Sequence, residues 1–194
     1  MQFEDIWPLT NSTGSVASFS EAECRALFDA VSQLPPHSHL VEVGCEYGRS
    51  TSVLAQVAKE KQHMLTLIDP FLTYRERVPG PIEATMGMLH QVDIPFTLHH
   101  MTSENAFEMQ GVLPKMIDLL HIDGDHTAAG VLLDCKMWFK CIVGGGFVCF
   151  HDYGRPTLAE IKTIVDQQMG TGRWTTMGTF DTLHIVRKRG AGVK

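Results

Sequence analysis

A chain of 194 residues, 44% hydrophobic and 20% charged, carries apolar material for one full-sized core and too little for two comfortable ones. Its formal net charge of -6 excludes a sequence-independent nucleic-acid binder, which needs a basic face. No apolar run approaches the roughly 20 residues of a membrane span, and the acidic opening Met1-Gln2-Phe3-Glu4-Asp5 lacks the basic and apolar parts of a secretion signal.

Residues 1–18 read as irregular, with Asn11-Ser12-Thr13-Gly14-Ser15 as a loop. Ser20 opens a helix: Glu23 completes a capping box and Phe19 is placed as a hydrophobic staple. Ala22, Ala26, Leu27, Ala30, Val31 and Leu34 form its apolar stripe, and Pro35-Pro36 stops it. Residues 40–43 then read as a buried strand, followed by the turn Gly44-Cys45-Glu46-Tyr47-Gly48-Arg49-Ser50 and a helix to about residue 60. Strand, glycine-rich turn and helix open a dinucleotide-type fold, although the spacing is Gly-x-x-x-Gly rather than Gly-x-Gly-x-x-Gly. Glu42 inside the first strand would repel a pyrophosphate and attract a ligand carrying an ammonium and a sulfonium.

The second strand, residues 64–68, ends at Asp69-Pro70, and an acid there can accept both hydrogen bonds of a ribose diol or simply start the turn. A loop over 72–80 carries Tyr74, Arg75, Arg77 and Pro79-Gly80, and a helix over 82–92 follows. The third strand spans 96–101, and Thr102-Ser103-Glu104 caps a short helix over 105–110. Ser103 and Glu104 would stand beside an adenine if Asp69 holds its ribose.

Two more buried strands end in acids and histidines. Residues 119–122 stop at Asp123-Gly124-Asp125-His126, and residues 147–150 stop at His151-Asp152-Tyr153, with a helical pattern between. Strands joined by a helix make a right-handed βαβ unit, and neighbouring strands lie about 4.8 Å apart, so acids at matching ends can reach one small ion. Hard oxygen ligands favour Mg²⁺ or Mn²⁺. Successive strand residues face opposite ways, so His151 and Asp152 can share an ion only if the strand breaks there. Pro156 leads a helix over 158–169, and residues 174–177 and 182–186 read as an antiparallel hairpin around Gly178 closing the sheet edge. The five cysteines form no C-x-x-C pair and read as buried free thiols, which fits a reducing cytoplasm.

The ordered set VEVGCEYGRS, Ile68-Asp69-Pro70, HIDGDH and FHDY, across roughly residues 38–187, resembles the class I S-adenosylmethionine-dependent methyltransferases. The match looks like their small metal-dependent O-methyltransferase branch, with the macrocin, sugar O-methyltransferase and cephalosporin hydroxylase-like proteins. The resemblance implies one α/β domain over 1–194, Rossmann-like, with a seven-stranded sheet of order 3-2-1-4-5-7-6 and an antiparallel last strand. It implies that Glu42, Gly44, Cys45, Tyr47, Gly48 and Ser50 surround the methionine part of S-adenosylmethionine, and that Asp69 holds the ribose. Ser103 and Glu104 would border the adenine, with Asp123 also beside the cofactor. Asp123 and Asp152 become ligands of Mg²⁺ or Mn²⁺ with His151 as a third, and Asp125 or His126 becomes the base. Tyr153 stands where some relatives carry a further acid. The expected reaction is methylation of a small-molecule hydroxyl: a sugar, a phenol or a small polyketide. Two other readings use the same residues: a metal-dependent oxygenase or hydrolase, and a non-catalytic cofactor-binding relative. Neither a nucleic-acid nor a membrane partner is expected, and a homo-oligomer stays open.

Overall fold

The structure, a computed structural model, describes residues 1–12, 19–72, 80–109 and 114–190. Seven strands, β1 (His39–Val43), β2 (Met64–Ile68), β3 (Phe96–His99), β4 (Ile117–Ile122), β5 (Ile142–Phe150), β6 (Trp174–Phe180) and β7 (Leu183–Lys188), form one sheet. Their order is β3-β2-β1-β4-β5-β7-β6. The first five pair in parallel, and β7 runs antiparallel to both β5 and β6. The expected seven-stranded order is therefore the observed one. The helices are α1 (Phe3–Ser12), α2 (Glu21–Ser32), α3 (Arg49–Lys61), α4 (Pro81–Val92), α5 (Ser103–Glu108), α6 (Ala128–Trp138) and α7 (Ala159–Met169). Alternation along the strands separates two apolar layers. Leu40, Leu67, Leu119 and Cys149 face α1 to α4, while Val41, Ile68, Leu120 and Val148 face α5 to α7.

Ser20 and Glu23 form the expected capping box at the start of α2. The amino-terminal segment departs from expectation: residues 3–12 are helical, with Pro8 inside. An interior proline removes one hydrogen bond and costs about 3 kcal/mol. Burying Phe3 and Ile6 against α2 and α3 contributes roughly 1.5–3 kcal/mol each and outweighs it. Arg25 adds a 2.8 Å bond to Glu4 and lies over the Phe3 ring. The hairpin also differs in detail. Its turn is at Asp181-Thr182, and Gly178 lies within β6 at a shift of register between Thr176 and Gly178. Thr13, Gly14 and Ser15 of the expected first loop, Tyr74, Arg75, Arg77 and Pro79 of the second, and Gln110 lie outside the described residues. All five cysteines are free, and four of them are buried.

Two contacts set the position of the loops at the carboxyl edge. Gly44 has φ +88°, and a Cβ added there would fall 2.1 Å from the Asp123 carbonyl oxygen. The turn after β1 thus lies directly on the turn after β4, with no room for a side chain. On the other face, Trp138 of α6 donates its indole N–H to Ser103 Oγ at 2.9 Å, and Ser103 Oγ donates in turn to Asp134 Oδ1. This chain ties α5 to α6. Asp134 is buried, and burial raises its carboxyl from 3.8 to about 6, against the lowering by Ser103 and Trp138.

Gly44→Ala should cost roughly 2–5 kcal/mol in urea unfolding, combining left-handed strain with overpacking against backbone. A loss below about 1 kcal/mol would show that the two turns do not meet as described. For Asp134 the folded carboxyl binds its proton more tightly than the unfolded one, so stability falls as pH rises from about 4 to 6. Asp134→Asn, which keeps an acceptor for Ser103, should gain stability over the native chain across that window, by up to about 3 kcal/mol above pH 6. Parallel stability–pH curves for the two proteins would remove the buried-acid penalty.

Candidate active site

The parallel register places Ile68, Val43, Ile122 and Phe150 in one row across β2, β1, β4 and β5. The ladder continues one step past the strands. Gly44 N–H donates to the Ile68 carbonyl, Asp123 N–H to Val43 and His151 N–H to Ile122. Asp69, Gly44, Asp123 and His151 therefore stand side by side at the carboxyl edge, where ligands of open α/β sheets bind.

On the cofactor half, the acids chosen from the sequence are largely occupied by the protein itself. Glu42 is fully buried in β1, where its carboxylate accepts from Ser50 Oγ at 2.5 Å and Thr51 Oγ1 at 2.6 Å and lies 3.0 Å from His121 Nδ1. It fastens the first turn of α3 to the sheet, and no part of its side chain is left open for a methionine group. Asp69 Oδ2 accepts the backbone N–H groups of Cys45 at 2.6 Å and Glu46 at 2.9 Å, and Oδ1 accepts from Phe71 N–H at 2.6 Å. Asp69 thus starts its own turn and also braces the glycine turn. Three of its roughly four lone-pair sites are used. Cys45, Tyr47 and Ser50 are buried. Gly48 (φ +81°) sits against Thr85, whose hydroxyl donates to the Glu46 carbonyl at 2.7 Å. Gly44, Glu46 and Arg49 are the half-exposed members of the turn, and Glu104 is exposed. Arg49 also lies 5.4 Å over the Trp7 ring, so α1 packs beside the turn.

On the acidic half, the structure separates the two histidines. Strand alternation sends His151 toward α2, where it is buried against Phe19 and its Nδ1 lies 2.7 Å from Asp123 Oδ1. Its Nε2 faces Glu23 Oε1 at 3.6 Å. Burial pulls its pKa down, but Asp123, Glu23 and Asp152 outweigh that and raise it to about 10. With Nδ1 engaged by Asp123 and Nε2 facing Glu23, the ring stands behind Asp123 rather than in the group that Asp123 forms with His126 and Asp152, where the sequence had placed it as a third ligand. Asp152 lies beyond the end of β5 with φ +58°, so the strand has indeed broken before it. Burial raises its carboxyl, and His126, Arg155 and His151 more than offset this, lowering it to about 2.

His126 is more than half exposed, and its Nδ1 stands 2.7 Å from Asp152 Oδ2 and 3.9 Å from Asp123 Oδ1. Asp152 raises its pKa above the ordinary value, against burial. Asp123, His126 and Asp152 each offer a ligand atom within 4.8 Å of the others. Asp152 Oδ2 is buried and, His126 apart, has no partner among the described residues. Asp125 stays outside this group: it is exposed, and its Oδ1 accepts Thr127 N–H at 3.0 Å ahead of α6. The sequence reading missed two participants. Glu23, seen only as a helix cap, also accepts from Thr182 N–H and Oγ1, and Arg155 donates to Asp152 Oδ1 at 2.7 Å. The i, i+3 spacing of Asp152 and Arg155 is the one signal that could have marked the latter.

Residues 41–153 match a family model described as Methyltransferase domain. An uncharacterized protein of Acanthamoeba polyphaga mimivirus is 30% identical over 113 residues, covering 58% of this chain and 50% of that protein. The chain thus spans about half the length of the curated relative it matches. Among solved structures, a TDP-rhamnose 3'-O-methyltransferase of calicheamicin biosynthesis superposes with a TM-score of 0.68 at 13% identity, over 95% of this chain and 92% of the other. An O-methyltransferase from Bacillus cereus, solved with S-adenosylhomocysteine, gives 0.69 at 11% identity over 96% and 90%. One from Klebsiella pneumoniae, described as a putative O-methyltransferase, gives 0.69 at 15% over 97% and 90%. The family match across more than half the chain, on a sheet of this order, makes the chain a member of the methyltransferase-domain family with the class I S-adenosylmethionine-dependent fold.

Proposed function

We propose that the chain transfers a methyl group from S-adenosylmethionine to a hydroxyl of a small molecule, with a divalent ion, Mg²⁺ or Mn²⁺, at the acidic group. The observation that carries this reading is the shared row at the sheet edge. It sets the glycine turn directly beside Asp123, and the buried Asp152 oxygen that His126 approaches adjoins the same group. The O-methyltransferase folds cited above, one of them holding S-adenosylhomocysteine, support it.

In this reading the turn from Gly44 to Ser50 receives the methionine part, with Gly44, Glu46 and Arg49 at its open rim. Asp69 works chiefly by holding the Cys45 and Glu46 amides, and its remaining lone pair is available to a ribose hydroxyl. Glu104 is the exposed candidate beside the adenine, while Ser103 holds α5 in place. The acceptor oxygen attacks the methyl carbon in line. A C–O bond forms as the S–C bond breaks, and the electron pair passes to sulfur. Asp123 and Asp152 would hold the ion, which, when bound, favours the deprotonated hydroxyl and fixes its oxygen. Asp125, exposed and outside that group, takes the acceptor's proton. Arg155 engages Oδ1 of Asp152 and leaves Oδ2 toward the group, while His151 fixes Asp123 through Oδ1, the oxygen that also approaches His126.

Calorimetric titration with S-adenosylhomocysteine should show binding, and Asp69→Ala should weaken it by on the order of 2 kcal/mol, since the turn amides lose their acceptor. Unchanged affinity in that variant would detach Asp69 from the cofactor. Screening acceptors by mass spectrometry for the gain of one methyl would identify the substrate class. Asp123→Asn and Asp152→Asn should each abolish ion-dependent turnover with cofactor affinity largely kept. Full activity in excess EDTA would assign both carboxylates to structure.

A further inference from the structure

We infer that His126 is a metal ligand rather than a free base, and that the Asp123, His126 and Asp152 set selects a first-row transition ion such as Mn²⁺ over Mg²⁺. The inference rests on the metal-assisted reading above and narrows it. Three observations lead to it. His126 Nδ1 approaches the buried Asp152 Oδ2 to 2.7 Å, and that oxygen has no other partner among the described residues. The same nitrogen lies 3.9 Å from Asp123 Oδ1, and ligand atoms of all three residues fall within 4.8 Å. Ligands bound about 2.1 Å from one octahedral ion stand roughly 3 Å apart when adjacent and about 4 Å when opposite. The two His126 separations, 2.7 and 3.9 Å, match these, and the group as a whole, within 4.8 Å, would draw in slightly around a shared centre.

The other histidine is already committed. His151 Nδ1 is bonded to Asp123 Oδ1 and its Nε2 faces Glu23, so it orients a ligand from behind. Arg155 does the same for Asp152 through Oδ1. What remains toward the centre is carboxylate oxygen from two residues and one imidazole nitrogen. Mg²⁺ demands hard oxygen and surrenders water reluctantly, whereas imidazole is a good ligand for transition ions and carboxylate keeps Mn²⁺ in range. Carboxylates from both Asp123 and Asp152 also argue against a softer, sulfur-seeking metal. His126 is exposed on its outer side, so its replacement disturbs no packing.

The test is a Mn²⁺ titration of the full chain followed by electron paramagnetic resonance, with Mg²⁺ as competitor. The native chain should prefer Mn²⁺ by roughly tenfold or more, and spin-echo modulation should report a directly coordinated nitrogen. His126→Ala should lose that modulation and about tenfold in Mn²⁺ affinity, with little change for Mg²⁺, and His126→Gln should behave alike. Bound Mn²⁺ without nitrogen modulation, or with affinity indifferent to His126, overturns the inference and leaves the metal-assisted reading standing. Binding of neither ion overturns both, while the separate S-adenosylhomocysteine titration still decides the cofactor half.

Discussion

The close approach of Gly44 to the Asp123 carbonyl determines how the two halves of the site meet. With no Cβ at Gly44, the turn after β1 rests on the turn after β4, and the edges of the two central strands close together. Everything that follows in chemistry depends on that spacing. Asp123 is brought beside the glycine turn by backbone packing alone, and its N–H continues the β1–β4 ladder through the Val43 carbonyl. The glycine that would ordinarily be explained by a ligand is here explained by protein against protein.

A chain of charge runs behind that cleft. Glu23 on α2 faces His151, His151 bonds Asp123, and Arg155 bonds Asp152. Glu23, His151 and Asp152 are all buried, and burying unpaired charge is far more costly than burying it paired. The pairing therefore constrains all of these residues at once. Removing His151 would leave Glu23 and Asp123 facing each other without a cation, although neither touches the other directly. Glu23 also accepts from Thr182, so the turn between β6 and β7 is fastened to the same chain. The position of the acidic cluster is set by the antiparallel edge of the sheet as well as by its parallel centre.

Much of the fold was legible because its signals are local. The apolar runs ending in Gly or Asp marked β1, β2, β4 and β5, and Ser20 with Glu23 marked the start of α2. The strand break that alternation required for His151 and Asp152 to come near one another is present: β5 ends at Phe150, and His151 Nδ1 lies 3.7 Å from Asp152 Oδ1. The features that escaped are those decided at a distance. Residues 3–12 carry a helix-breaking Pro8, and only burial against α2 and α3 stabilises the helix there. Glu42 and Asp69 looked like ligand-binding acids because a strand-end carboxylate and a turn brace are the same residue type at the same place. Which role applies depends on where the N–H and O–H donors of residues 45, 46, 50, 51 and 71 lie. The choice between His126 and His151 likewise turned on Glu23, more than a hundred residues away in sequence.

These internal commitments also bear on what the glycine turn can accept. A turn leading into a helix amino terminus ordinarily draws phosphate, because free N–H groups and the helix dipole both favour an anion. Here α3 follows Gly48 without a side-chain cap, but several donors of the turn are already taken by carboxylates. Asp69 occupies the Cys45 and Glu46 amides, and Glu42 occupies the Ser50 and Thr51 hydroxyls just inside the helix. A pyrophosphate arriving at this turn would find the Cys45 and Glu46 amides taken and meet two carboxylates close behind. Glu46 at the half-exposed rim adds a third acid. A ligand presenting an ammonium and a sulfonium meets the same acids as attraction. The departure from Gly-x-Gly-x-x-Gly spacing and the acids around it thus act in one direction. They set acids around a turn that in other open α/β sheets draws phosphate.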